Sequence, residues 1–306
     1  MTPDKVISNV DFSIIVPLYN EEEGVSATVN SLIDLRSKHS LKCEIILVND
    51  GSTDKTSEII KEFATVPNFK ILRNTVNLGY GYSLKRGILI AESDIICIID
   101  ADGSYPIESI PELIFNMKDY DMVVGARQGE HYWGSIFKNP SRKLFLAMIH
   151  YITGVKVPDG NSGLRAFRKS KIMEFINLIG NKFSFTTSLT LASHYSNLAI
   201  KYIPVEYYKR KGKTKIRHIR DSIGAIQLML QVSVYFDPFK VVFPITVLFG
   251  SIGFLFIVSY FFNQNHFLVL LGFLNIFFSI SVLFFGLWAW LFVTSQKNKL
   301  DYAKKN

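Results

Sequence analysis

Two aspartates that leave a strand one residue apart, in the run Asp100-Ala101-Asp102-Gly103, are the side chains of this chain best placed to do chemistry. Alternate residues of a straight strand cannot converge on one point, so the turn at Gly103 is what would let both carboxylates meet a single cation. The matching partner for such an oxygen pair is a hard divalent ion, Mg²⁺ or Mn²⁺, shared with a phosphate. A second acidic turn, Asn49-Asp50-Gly51-Ser52-Thr53-Asp54, repeats the theme upstream. Two Cys and six scattered His offer no metal-ligand spacing, so carboxylates are the candidate ligands.

The segments around these turns explain why they would share one place. Ile95 to Ile99 is an unbroken apolar run, as expected of a strand buried on both faces of a parallel sheet, and it delivers Asp100 to the carboxyl end where such sheets bind ligands. Ser13 to Val16 and Glu44 to Val48 read as earlier strands, followed by helices over Val25 to Arg36 and Lys55 to Ala64. A third unit starts at Ile71-Leu72 with a helix from Tyr80 to Ala91. Beyond Asp100 come a helix over Glu108 to Met117 and a fifth strand at Met122 to Val124, ending in Gly125-Ala126-Arg127. Strands separated by single helices predict an α/β domain with a mainly parallel, Rossmann-like sheet. Asp50 and Asp102 are then expected along one crevice. Cys43 and Cys97 fall in or beside strands and read as reduced core residues.

The rest of the chain has another character. No Asp, Glu, Lys or Arg occurs from Val241 to Gln296, and only Asn263-Gln264-Asn265-His266 interrupts the apolar sequence. That length fits two membrane spans, near Val241 to Phe262 and Phe267 to Thr294. Lys209 to Arg220 precedes them and Lys297, Lys299, Lys304 and Lys305 follow. The positive-inside rule then places both charged flanks, the catalytic domain and both termini on the cytoplasmic side of the cell membrane. No apolar signal segment precedes the first strand, in line with that placement.

Seven of the twelve residues from Lys209 to Arg220 are Lys or Arg, in a chain of net charge +8. Such a run can bind substrate phosphates or attract anionic headgroups; a nucleic-acid partner is not expected beside a membrane span. Ile216, Ile219, Ile223, Ile226 and Leu230 recur at helical spacing, as in an amphipathic helix that lies in the interface or packs on the domain. The domain reading is residues 1–215 catalytic, 216–238 juxtamembrane amphipathic helix, 239–296 two-helix anchor and 297–306 basic tail.

Together, Ile15-Val16-Pro17-Leu18-Tyr19-Asn20-Glu21, Val48-Asn49-Asp50-Gly51-Ser52-Thr53-Asp54, Asn77-Leu78-Gly79, Asp100-Ala101-Asp102-Gly103 and Val124-Gly125-Ala126-Arg127 resemble the successive motifs of family-two inverting glycosyltransferases of GT-A fold. Asp159-Gly160-Asn161-Ser162-Gly163-Leu164-Arg165 and the basic loop are similar to the dolichol-phosphate mannose synthase branch, which loads single sugars onto polyprenyl phosphates. The resemblance covers residues 11–220. It implies that Pro17, Tyr19, Glu21, Val48 and Asp50 meet the nucleotide, with Asp50 on the base. It further implies that Asp100 and Asp102 bind metal and donor diphosphate, and that Ala101 touches the donor through its backbone. Ser104 stands where the branch's mannose synthases often carry a Gln metal ligand. The branch's Arg-x-x-Gly-x-Ser-Lys loop corresponds to Lys209 through Lys215, with Lys209 or Arg210 in the Arg role and Lys215 as the Lys.

The chemistry also follows from charge. Cleaving a sugar-diphosphate bond requires the leaving charge to be neutralised, by a divalent ion and nearby cations. A lipid phosphate with a second pKa of about 6 is largely dianionic at neutral pH and needs positioning rather than a strong base. Arg127, Arg142, Lys143 and Arg165 are the candidates for that, and Arg165 is alternatively a domain ion pair. Asp159 is a base, an acceptor-orienting carboxylate, or a cap on the turn at Gly160. The expected activity is inverting transfer of one hexose from a UDP-glucose or GDP-mannose type donor to a polyprenyl phosphate. A processive polysaccharide synthase fits less well without a Gln-x-x-Arg-Trp element, and a non-catalytic scaffold fits less well with Asp50, Asp100 and Asp102 all present. Two lipid-facing helices would favour a homo-oligomer.

Overall fold

The computed structural model describes residues 10–133, 139–182, 184–209 and 218–305, with only the backbone described for 218–223, 225 and 296–305. In chain order the elements are β1 (Phe12–Leu18), α1 (Val25–Lys38), β2 (Cys43–Asn49), α2 (Thr56–Lys61), β3 (Phe69–Arg73), α3 (Tyr80–Ile90), β4 (Ile95–Ile98), α4 (Ile110–Asn116) and β5 (Met122–Gln128). They continue with α5 (Glu130–Trp133), α6 (Asn139–Thr153), β6 (Arg165–Arg168), α7 (Lys169–Met173), α8 (Phe185–Tyr195), β7 (Ile200–Glu206), α9 (His218–Phe236), α10 (Phe239–Asn263) and α11 (His266–Lys305). Two compact units are distinguished, Met1–Leu228 and Met229–Asn306.

The first unit is one seven-stranded sheet in the order β3-β2-β1-β4-β6-β5-β7. All neighbours are parallel except β6, which runs antiparallel to both β4 and β5. Period-two alternation splits the strand residues between two helical layers. Ile14, Val16, Ile45 and Leu47 share a buried cluster with Val25, Val29 and Leu32 of α1. On the opposite face Gly87 lets α3 approach so closely that a Cβ there would lie 2.6 Å from Ile15 Cγ2. In β1 and β2 the pairs Val16 with Leu47 and Leu18 with Asn49 bring the ends of both strands level. The Asp50 N–H continues the ladder to Leu18 O (2.8 Å), and Ile99 N–H donates to Ile15 O (3.2 Å), so Asp50 and Asp100 emerge at the same edge.

β6 and β7 have no counterpart in the sequence reading. β6 spans four residues, two of them Arg, and β7 carries Pro204. The proline is tolerated because β7 pairs only with β5 and so forms a sheet edge.

The second unit contains two helical segments long and apolar enough to cross a membrane, Phe239–Asn263 and His266–Ser295. Their outward side chains are largely aromatic and aliphatic, among them Phe254, Phe261, Phe277 and Phe284. The break between them narrows to Gln264, whose left-handed backbone caps α10, and Asn265, whose Oδ1 accepts Phe267 N–H at 3.0 Å. Gly253 and Gly272 pack backbone to backbone: a Cβ on Gly253 would come within 2.8 Å of Gly272 O. Ser279 Oγ donates across to Thr246 O at 2.8 Å. In α9, Ile226 and Leu230 are exposed whereas Met229 and Val232 are buried.

At the amino end of β2, far from the acidic edge, Glu44 is 1% exposed. It accepts from Ser13 Oγ (2.5 Å) and Glu92 N–H (2.6 Å) and pairs with Lys70 Nζ (2.7 Å). Burial alone would raise its pKa; the bonds from Lys70, Ser13 and Glu92 overcome that and hold it below the usual range. A carboxylate with a depressed folded pKa contributes stability above its unfolded pKa of about 4.3 and loses it as pH falls through the folded value. Lys70→Met, which strands this carboxylate, is therefore expected to lower unfolding free energy by about 2 kcal/mol at pH 7, discounted because Lys70 is partly exposed. Chemical denaturation at pH 7 and pH 4 checks this, since the deficit should shrink at the lower pH.

Candidate active site

The carboxyl edge begins with a stitched pair of loops. Asn20 N–H donates to Ser52 Oγ (2.9 Å), Glu21 N–H to Thr56 Oγ1 (2.8 Å) and Thr53 N–H to Asn20 Oδ1 (2.8 Å), so the Tyr19–Glu21 and Ser52–Thr56 segments hold one shape. Asp50, 3% exposed, lies beneath a third loop. Its Oδ1 accepts from Asn74 Nδ2 (2.6 Å) and Leu78 N–H (2.9 Å), and its Oδ2 from Gly79 N–H (2.8 Å). Asn74 is in turn held by Arg86. Gly79 needs the freedom of glycine, with φ of 110° and Asn181 O where a Cβ would project.

One residue on, Tyr80 starts α3 and its hydroxyl donates to Asp100 Oδ1 at 2.8 Å. Burial and the negative charge of Asp100 raise the phenol far above its usual pKa, so it stays a donor. On the other side of Asp100 lies Gly163, where a Cβ would overlap Asp100 Oδ2. Asp102, 5% exposed, turns Oδ1 back to Ser104, accepting from its N–H (3.0 Å) and from its Oγ. Thr28 Oγ1 donates to Ala101 O at 2.9 Å and fixes the peptide between the two aspartates.

Downstream, Asp159 is 1% exposed and forms a bidentate pair with Arg127, Nε to Oδ2 at 2.7 Å and a terminal nitrogen to Oδ1 at 2.9 Å. Arg127 N–H also reaches Oδ2, at 3.2 Å. Burial would raise the Asp159 pKa, but the Arg127 charge and these hydrogen bonds bring it below the usual aspartate value. The Arg127 guanidinium lies over the rings of Tyr132 (4.7 Å) and Tyr207 (5.4 Å). Arg142 covers Tyr132 at 4.0 Å and bonds to Tyr132 O and Asn139 Oδ1. No carboxylate pairs with Arg142 among the described residues, so its charge is the less compensated of the two.

Residues 13–175 match the glycosyl transferase family 2 description. The chain belongs to glycosyl transferase family 2. Among curated relatives, an uncharacterized glycosyltransferase of Bacillus subtilis is 27% identical over 68% of this chain and 64% of its own length. An undecaprenyl-phosphate 4-deoxy-4-formamido-L-arabinose transferase of Photorhabdus laumondii is 31% identical over 57% of each chain. The match thus spans less than two thirds of these relatives' lengths. Glucosyl-3-phosphoglycerate synthase from Mycobacterium tuberculosis, solved with UDP, superposes with a TM-score of 0.56 at 19% identity, over 73% of this chain and 80% of that one. That likeness establishes the GT-A fold.

In this family 2 chain the residues singled out in the sequence differ in exposure and in partners. Val48 is fully buried, with its side chain packed toward Gly87 of α3. Ser104 is also fully buried, and its hydroxyl donates to Asp102 Oδ1. Arg165 is 0% exposed and donates to Ser162 O, Thr186 O and Thr190 Oγ1, and among the described residues it pairs with no carboxylate. It braces the Ser162 loop against α8. Pro17, Tyr19 and Glu21 line the edge partly exposed, and Ala101 is buried with its carbonyl already engaged. Lys143 and Lys209 are exposed; Arg210 and Lys215 lie outside the described residues.

The reading of the sequence missed Tyr80, Tyr105, Tyr132 and Tyr207. Tyr105 accepts Gly163 N–H at 2.7 Å, and the others touch Asp100 or Arg127. Only Tyr80 carried a signal, since it opens the helix that follows the Asn77-Leu78-Gly79 motif.

Among the described residues no three His, Cys, Asp or Glu side chains cluster closely enough to hold a metal. Asp100 and Asp102 supply hard oxygens oriented by hydroxyl donors, a set that fits Mg²⁺ or Mn²⁺ when substrate phosphates complete the shell.

The Arg127–Asp159 pair predicts strong thermodynamic coupling. Arg127→Met and Asp159→Asn should each destabilise the fold by about 3 kcal/mol, and the double variant by clearly less than their sum. Denaturation of all four proteins measures the cycle; additive losses would show that the pair does not act as a unit.

Proposed function

We propose that this chain transfers a single hexose, with inversion, from a nucleotide sugar to a polyprenyl phosphate at the cytoplasmic membrane face. The observation that carries the reading is the Asp159 to Gly163 loop: one end holds Arg127 and the other abuts Asp100. Four residues reach about 14 Å at most, so a guanidinium cluster and an acidic cation site stand within the span of a donor diphosphate and an acceptor phosphate. The names of relatives that act on undecaprenyl phosphate support the acceptor class. A hexosyltransferase of Haloferax volcanii, 27% identical over 71% of this chain and 52% of its own length, supports the transferred group.

In this reading Asp100 and Asp102 hold a divalent ion, which supplies positive charge to the departing diphosphate. Pro17, Tyr19 and Glu21 line the nucleotide cleft, with Asp50 shaping its floor and reading the base. Arg142, helped by Lys143, takes the acceptor phosphate. Arg127, already neutralised by Asp159, orients through its fixed plane. Asp159 is held too acidic to serve as an efficient base near neutral pH, and a dianionic acceptor needs none. Lys209 or Arg210 and Lys215 close over the phosphates. The spans Phe239–Asn263 and His266–Ser295 keep the domain at the lipid surface, with α9 in the interface and association into homo-oligomers through the spans.

Purified protein given polyprenyl phosphate, Mn²⁺ and labelled UDP- or GDP-hexoses should yield one labelled glycolipid. Asp102→Asn should lower that turnover by at least about a hundredfold while leaving the fold intact. Absence of product with every donor, or full activity of the variant, would defeat the reading. Orientation has its own check. A Cys placed at Asn265 should react with an impermeant thiol reagent in intact cells, whereas one at Ser295 should not; the reverse pattern would invert the topology.

A further inference from the structure

We propose that Tyr80 is a positioning residue that orients Asp100 for the divalent cation, acting from a loop whose shape is set by Asp50. The proposal rests on the metal reading of Asp100 and Asp102. Three consecutive residues carry it. The N–H groups of Leu78 and Gly79 are bound by Asp50, and the next residue extends its hydroxyl 2.8 Å to Asp100 Oδ1. The ring is itself placed, edge-on to Phe185 at 6.5 Å between centroids.

An aspartate at the end of a strand can turn its carboxylate plane about the last side-chain bond. Here one oxygen is tethered by Tyr80 and the other is pressed against the bare Cα of Gly163. That pair of restraints selects one orientation before a cation arrives, which lowers the ordering cost of binding. The donor type matters as well. A Lys or Arg in the same place would bring a positive charge that competes with the cation, whereas a neutral phenol orients the carboxylate without adding one.

The test is Mn²⁺ titration of the detergent-purified full chain with UDP present, corrected for Mn²⁺ bound by UDP alone and followed by the electron paramagnetic resonance signal of free Mn²⁺, for wild type, Tyr80→Phe and Asp102→Asn. Phenylalanine keeps the ring and removes only the hydroxyl. The expected result is Mn²⁺ affinity about tenfold weaker in Tyr80→Phe, with Tm shifted by less than about 2 °C, and binding lost in Asp102→Asn. If wild type and Asp102→Asn behave as expected but Tyr80→Phe binds within twofold of wild type, the positioning role is overturned and the metal reading stands. A weaker affinity accompanied by a Tm fall of more than about 5 °C would mark Tyr80 as a packing residue and overturn it too. If the wild-type chain takes up no Mn²⁺, the metal reading fails and carries this inference with it.

Discussion

Four carboxylates, Asp50, Asp100, Asp102 and Asp159, gather at one edge of the fold, and a buried or half-buried carboxylate is stable only where donors meet it. Much of the local architecture is the supply of those donors. Asp50 takes them from the backbone of the loop before α3, Asp102 from its own turn, and Asp159 from a bidentate guanidinium. Asp100 is met by a neutral hydroxyl. The donor type differs among the four: Asp159 is met by a full positive charge, Asp100 by a neutral phenol and Asp102 by the backbone and hydroxyl of Ser104.

The same distinction separates the arginines. Three of them looked equivalent as phosphate ligands because a sequence shows residue type but not who stands opposite. Burial removed Arg165, pairing with Asp159 compensated Arg127, and Arg142 retains its charge over the ring of Tyr132. Both guanidiniums lie over the ring of Tyr132, Arg127 at 4.7 Å and Arg142 at 4.0 Å from its centroid.

What could be read in advance was whatever local pattern controls. Apolar runs ending in Asp-Gly turns placed β2 and β4 and their acidic ends, and the uncharged stretch after Lys240 placed both apolar helices. The short β6, with arginine at both ends, gave no apolar run, and its antiparallel insertion depends on partners far along the chain. The burial of Ser104 and Val48 was hidden for a related reason: motif membership fixes position along the chain, whereas the direction of a side chain is decided by the turn or the pleat. Tyr105 and Tyr207 gave no sign because their contacts to Gly163 and Arg127 join residues far apart in the chain.

The insertion of β6 between β4 and β5 also orders events during synthesis. Emerging from the ribosome, β1 to β4 can assemble as soon as they are made, since each pairs with a strand already present. β4 then exposes an unpaired edge until Arg165–Arg168 arrives, and β5 cannot join the sheet before it does. The half that bears the acidic edge therefore exists for a time without the half that bears Arg127 and Asp159. That interval is when a nascent chain is most exposed to wrong strand pairing, and when a chaperone that shields sheet edges would have most to do.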